Sequence, residues 1–380
     1  MNGNKTGRKR GNGEGTVFKR SDGRWVTKLT LPDGRRKEFY GNTREQAVSK
    51  MDSAKTALRA GQTLPSERLT VGRYAQAWLD MKRGTVRYKT YEVWEGLMRL
   101  HVIPYIGRLQ LSRLTPLHLQ NLYTDLRTQG LSATSVNAVH RALKNMLRTA
   151  ERMDVVPRCV ADLVTAPSIK RREMLILSEQ QAKALLKASE DHRLGTLFEL
   201  ALMSGARINE LLALRWSDIS FDQAEMHVRT ALQRTEDGIK PGEPKTAAGV
   251  RTIPLDAEML HSLRRHRVAM SEEALKLGAD WQNTRDLVFV TQAGTQLSST
   301  NLIRRDYRPV VKKAGLPPTL RLQDLRHFFA SYNLSRGVPV TAVSKVMGHS
   351  SPAVTHAVYA HCIPGDESRI AANMGSLRAV

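Results

Sequence analysis

The hydrophobic pattern of this chain changes period twice, and each change falls at a short polar break. Apolar and polar residues alternate up to about residue 40, apolar residues recur at helical spacing from about 70 to 164, and the remainder mixes both periods. Side chains change face every second residue in a strand and return every 3.6 residues in a helix, so a change of period separates pieces that form different layers. The breaks are Gln62-Thr63-Leu64-Pro65-Ser66 and Ala166-Pro167-Ser168-Ile169-Lys170-Arg171-Arg172. A multidomain, mainly α chain is expected. A small three-stranded sheet with one helix spans 14–62, a helical domain 68–165, and a mixed α/β domain 174–380. Residues 1–13, with Arg8-Lys9-Arg10, are too polar to form a core and are predicted to be a disordered basic arm.

In the first block, Thr16 to Lys19, Arg24 to Thr30 and Lys37 to Tyr40 read as strands, separated by Asp22-Gly23 and Asp33-Gly34. Asp-Gly supplies the positive φ that tight hairpin turns require. Thr43-Arg44-Glu45-Gln46 reads as a capping box opening a helix to about Ala60. Arg35, Arg36 and Lys37 place charge on the sheet, either as a groove-reading ribbon or as a solvated face. In the helical block, Tyr74, Trp78 and Leu79, then Tyr91, Trp94, Leu97 and Met98, then Val136, Val139, Leu143 and Leu147 form three apolar stripes. Their aromatics are expected in the core. Lys82, Arg83, Arg87, Lys89, Arg141, Lys144 and Arg148 lie interleaved with them. The basic second break is compatible with a clamp closing around a duplex or with a plain tether.

Charge narrows the range of partners. Lys and Arg total 59 against 36 Asp and Glu, a formal net charge of +23. A folded protein this basic is expected to meet a polyanion, normally nucleic acid. Mean hydropathy of −0.39 and the lack of an apolar run long enough to span a bilayer argue against a membrane. The two cysteines, Cys159 and Cys362, show no metal-ligand spacing and point to a reducing compartment. No export signal is read, and a cytoplasmic location is expected.

The last block carries the chemistry. Leu177-Ser178-Glu179-Gln180-Gln181 opens a helix, an apolar helix from Leu197 ends at Ser204-Gly205, and Arg207 starts the next, with Glu210 one turn on to orient its guanidinium. Met226 to Thr230 and Arg251 to Leu255 look like strands around a polar loop holding Lys245. A helix from Leu320 to about Ser335 contains Gln323 and Arg326, with His327 beside them in Leu325-Arg326-His327-Phe328. Val340 to Met347 forms a helix stopped by Gly348, with His349 directly after it, and Tyr359 lies ten residues further on. Two arginines that clamp phosphate oxygens, a histidine and a phenol suit a phosphoryl-transfer site without metal. Taken singly, each of these residues also suits a structural role, and Tyr307 and Tyr332 compete with Tyr359.

In this order and spacing the residues resemble the tyrosine recombinases, the phage-integrase family, over almost the whole chain and most strongly over 196–361. The resemblance implies an arm-type DNA-binding domain, a core-binding domain and a catalytic domain. It implies that Arg207 and Arg326 bind the scissile phosphate, that Lys245 protonates the leaving 5′ oxygen, that His349 stabilises the transition state, and that Tyr359 forms a 3′-phosphotyrosyl bond. The activity implied is site-specific recombination that integrates or excises a mobile element, without cofactor or metal. The implied partners are double-stranded DNA with attachment-type sites, three further copies of the chain in a synaptic homotetramer, and a directionality or host architectural factor. Gln323 departs from the family, which usually has histidine in a His-x-x-Arg pattern; glutamine donates a hydrogen bond but carries no proton. Two outcomes stay open, a slower enzyme and a DNA-binding regulator or architectural protein derived from one. The tail from Cys362, with Ile370, Met374 and Leu377 at helical spacing, docks on a neighbouring copy or packs on its own domain.

Overall fold

The computed structural model describes residues 16–31, 34, 36–59, 69–169, 174–244 and 246–362. The basic arm, Arg35, the first linker, part of the second, Lys245 and the tail beyond Cys362 lie outside these residues. The chain divides into two compact units, Met1–Lys170 and Arg171–Val380.

In the first unit, β1 (Thr16–Lys19), β2 (Trp25–Thr30) and β3 (Arg36–Gly41) form an antiparallel meander. Gly23 has the positive φ expected of it, +84°. α1 (Arg44–Arg59) packs Met51 and Ala54 on Leu29 and Phe39, and the Thr27 hydroxyl donates to the Ala47 carbonyl at 3.2 Å. The capping box forms in part: Thr43 accepts from the Gln46 backbone N–H, but the Gln46 side chain reaches the N–H of Asn42. Register sorts the basic residues by face. Arg36 is opposite Thr30, on the side of Lys28, Phe18 and Tyr40, whereas Lys37 is opposite Leu29 on the helix side, over the Phe39 ring. Arg36 and Lys37 therefore do not share a face, as strand alternation requires.

The helical part consists of α2 (Val71–Lys82), α3 (Tyr88–Leu97), α4 (Ile103–Ile106), α5 (Pro116–Thr128) and α6 (Ala133–Arg152). A π turn over Met98–Val102 joins α3 to α4. Thr70, Thr115 and Ser132 cap α2, α5 and α6 through their hydroxyls. The predicted stripes supply the core: Trp78, Met98, Val136, Val139 and Leu143 are fully buried, and Trp78 lies 4.9 Å from Trp94, ring to ring. Lys144 and Arg148, two of the interleaved basic residues, pair with Asp162 of the same unit at 2.9 and 2.8 Å.

The second unit builds its larger core from α7 (Glu179–Ser189), α8 (Gly195–Ser204), α9 (Ile208–Leu211), α10 (Ala257–Leu277), α11 (Ser299–Leu302), α12 (Arg308–Lys313) and α13 (Leu322–Ser335), together with a small sheet. That sheet has the order β4 (Ile219–Ser220), β5 (Glu225–Val228), β8 (Arg251–Pro254). The segment read as a polar loop contains a second hairpin, β6 (Ala231–Thr235) with β7 (Gly238–Gly242). α14 (Val340–Met347) and α15 (Pro352–Tyr359) pack on the far end of α13 around Ala330, Leu334, Val343 and Met347. Among the described residues no helix is long and apolar enough to cross a membrane.

Candidate active site

The site forms at the C-terminus of α14. A helix end leaves its last carbonyls without intrahelical donors and carries partial negative charge. Here three consecutive carbonyls each take an arginine. Val346 O accepts from Arg251 Nε at 2.5 Å, Met347 O from Arg326 Nη2 at 2.7 Å, and Gly348 O from Arg207 Nη2 at 3.3 Å. Gly348 makes the arrangement possible. Its φ is +67°, and a Cβ there would sit 2.8 Å from Ala248 O and 2.9 Å from Arg251 Cδ. Gly205, which ends α8 at φ +60°, does the same on the other side: its carbonyl accepts from Arg326 Nη1 at 2.5 Å, and a Cβ would meet the Phe329 ring at 2.4 Å.

Glu210 ties two of the arginines together. One carboxylate oxygen takes Arg207 Nη1, and the other takes the Arg207 backbone N–H and Arg251 Nη2, all at 2.8 Å. Burial opposes the charge of Glu210, but Arg251 and then Arg207 outweigh it and hold the carboxyl below its usual range. Three guanidiniums against one carboxylate leave a surplus of positive charge, the electrostatic condition for an anion site. Arg207 is the open member, its side chain 42% exposed against 4% for Arg251. Arg326 is 3% exposed; burial, followed by the nearby charge of Arg207, pushes its pKa down to about 9, which leaves it a cation at neutral pH.

His349 follows Gly348 and lies half-buried, with Nδ1 2.7 Å from the Thr355 hydroxyl. Burial and then the charges of Arg326, Arg207 and Arg251 push its pKa down to about 4. The ring is therefore neutral near pH 7. When Nδ1 accepts from the Thr355 hydroxyl, the neutral imidazole carries its proton on Nε2, where it is a donor rather than a charge. Tyr359, the last residue of α15, is 1% exposed, and its hydroxyl lies 2.5 Å from His327 Nδ1. Burial raises its pKa to about 12 against the opposing pull of Arg326.

The structure thus brings together Arg207, Arg326, His349 and Tyr359. Gln323 is on α13 one turn before Arg326, but it is exposed where Arg326 is buried. Lys245 lies outside the described residues. The turn that follows it, Thr246 to Val250, packs against Gly348 and is pinned by Arg251 Nη1 on Gly249 O at 3.0 Å. Of the competing tyrosines, Tyr307 is in the main core and Tyr332 stacks on Phe328 and Arg336. Sequence reasoning named Arg251 and His327 but gave neither a role. For Arg251 a signal existed, because it occupies the inward register of a strand whose other inward residues are Ile253 and Leu255.

Residues 176–364 match the family model described as the phage integrase family, and 70–127 match that of the phage integrase N-terminal SAM-like domain. An integrase of Streptomyces ambofaciens is 30% identical over 93% of this chain and 92% of its own length. A tyrosine recombinase XerC-like protein of Caldanaerobacter subterraneus subsp. tengcongensis is 28% identical over 90% of this chain and 92% of its own. In fold, the chain is similar to the Tn1549 transposon integrase solved with transposon right end DNA, at a TM-score of 0.69 and 23% identity over 82% of this chain and all of that one. Alignment with the curated relatives along nearly the whole length, at up to 30% identity, places the chain in the phage integrase family of tyrosine recombinases.

Proposed function

We propose that Arg207, Arg326, His349 and Tyr359 carry site-specific DNA recombination, cutting and rejoining strands through a 3′-phosphotyrosyl intermediate during integration or excision of a mobile element. The convergence of three arginines and a histidine on one helix end, with a buried phenol beside them, is the observation that carries this reading. Arg207 and Arg326 clamp the non-bridging oxygens, and His349 donates from Nε2 to the same oxygens. Tyr359 attacks phosphorus, and Lys245 protonates the departing 5′ oxygen. Exchanging one phosphodiester for another conserves bond energy, so the reaction draws on preorganised charge and positioning.

The partner is duplex DNA. The open face of the N-terminal sheet, with Phe18, Lys28, Arg36 and Tyr40, supplies a second DNA contact of the arm type. λ integrase has been solved as a tetramer on a Holliday junction, at a TM-score of 0.56 to this chain, and a homotetramer is proposed here as the synaptic assembly. The test is covalent capture on a nicked suicide substrate. Wild type should yield a protein–DNA adduct that maps to Tyr359, and Tyr359→Phe should yield none while binding the DNA as wild type does. An adduct formed by the phenylalanine variant would overturn the assignment.

A further inference from the structure

We propose that His327 is a catalytic residue, the general base that takes the phenolic proton of Tyr359 through Nδ1. The inference rests on Tyr359 being the nucleophile. Nδ1 lies 2.5 Å from the hydroxyl, within direct transfer distance, with the ring centroids 5.8 Å apart and the planes at 51°. The phenol is 1% exposed and belongs to one buried cluster with Ala330, Leu334, Val343 and Met347. A phenol whose pKa burial has raised to about 12 is almost wholly protonated at neutral pH, so attack on phosphorus requires a proton acceptor.

The neighbouring groups are poorer acceptors. Gln323 holds the position of the usual histidine but has no basic atom. His349 has its Nδ1 on Thr355 and is disfavoured as a cation by three arginines. Asp324 is 1% exposed and spends both oxygens on the side chain and backbone of Arg321. The Cys362 thiol, beyond α15, is pushed up by burial. Glu199, the titratable group of α8 on the other side of α13, hydrogen-bonds Ser262 instead. The groups that act on His327 itself are Asp324, Arg321 and Arg326 of its own helix. Burial first, opposed by Asp324 and aided by Arg321 and Arg326, lowers its pKa below the ordinary imidazole value, which favours the neutral ring that a base requires.

The step balances within the site. The Tyr359 O–H bond breaks as its oxygen bonds to phosphorus and the proton passes to Nδ1, while the bond from phosphorus to the 5′ oxygen breaks and that oxygen takes the proton proposed to come from Lys245. In rejoining, the 5′ hydroxyl attacks and gives its proton back to Lys245, the phenolate leaves, and the imidazolium returns the proton to it. No oxidant, reductant or co-reactant enters.

Single-turnover cleavage by the full-length protein tests this with two substrates, an ordinary strand and one with sulfur in place of the bridging 5′ oxygen. Sulfur leaves without protonation, so the second substrate reports on attack alone. His327→Asn places an amide oxygen near the Nδ1 position, where it can accept a hydrogen bond from the phenol but cannot carry its proton; His327→Gln places its amide further out. Both variants should cleave about 100- to 1,000-fold more slowly on both substrates, the range of general-base catalysis. The wild-type rate on the sulfur substrate should fall about tenfold per pH unit below the His327 pKa, and the variants should lack that limb. If His327→Asn cleaves within threefold of wild type and keeps the limb, the histidine only positions the phenol and the proposal falls. Recovery of either variant on the sulfur substrate would also overturn it, by moving the role to the leaving group. Adduct formation by Tyr359→Phe would instead refute the reading on which the proposal rests.

Discussion

Arg251 and Glu210 form a buried ion pair in which each side-chain nitrogen and oxygen has a partner, and its value is positional. Removing one member strands the other: Glu210→Ala should cost about 3–5 kcal/mol in urea unfolding, because Arg251 would remain as an uncompensated buried charge. Replacing both, as Glu210→Ala with Arg251→Met, should recover part of that loss, and a strictly additive double mutant would show that the pair is not coupled. Gln323 belongs to the same scale. A side chain that donates one hydrogen bond to a phosphate oxygen is worth roughly 1.5–3 kcal/mol, so Gln323→Ala should slow cleavage about tenfold to a hundredfold. Gln323→His should match or exceed wild type, and an alanine variant as fast as wild type would place Gln323 outside the site. At this scale the sequence was most legible where order and spacing grouped residues, as for Arg207, Arg326, His349 and Tyr359, which lie near one another in the structure. It was least legible for partners far along the chain. Arg207 meets Gly348 across 141 residues and Arg251 meets Val346 across 95, separations that no local spacing encodes.

Helix ends decide the site at the scale of elements. α8 and α14 both stop at a glycine in the left-handed region, and each stop turns a carbonyl toward an arginine. Gly348→Ala should therefore cost more than backbone strain, which alone is about 1–2 kcal/mol, because its Cβ also displaces Ala248 and Arg251. Gly337, at φ +82° with nothing within 4 Å of a Cβ, is the control, and Gly337→Ala should show the strain alone. Thermal unfolding of the two variants compares them directly, and equal losses would mean that the close approach at Gly348 contributes nothing. These helices were legible because capping residues and glycine stops are local signals: Ser178 caps α7 as expected, and Gly205 and Gly348 stop their helices. The β6–β7 hairpin was not, since its strands carry Gln233, Arg234 and Lys240 and bury little, so no alternation marks them.

Across the whole molecule, charge and division into units set the behaviour. With a net charge of +23, binding to DNA should weaken steeply with salt, and each phosphate contact adds to the slope. Deleting residues 1–62 should leave core-site binding detectable, abolish bridging to a second site and reduce the salt slope. Identical footprints and slopes for the full and truncated proteins would refute a DNA-binding role for the sheet. The boundary between the two units falls inside the second polar break, and each apolar cluster lies within one unit. Every described group of the candidate site, from Arg207 to Tyr359, lies within Arg171–Val380 and is held by contacts inside that unit. A site held entirely within one unit is in principle a transplantable part: if the proposed chemistry resides there, the unit joined to different partner modules should keep the bond-breaking step and acquire a new address.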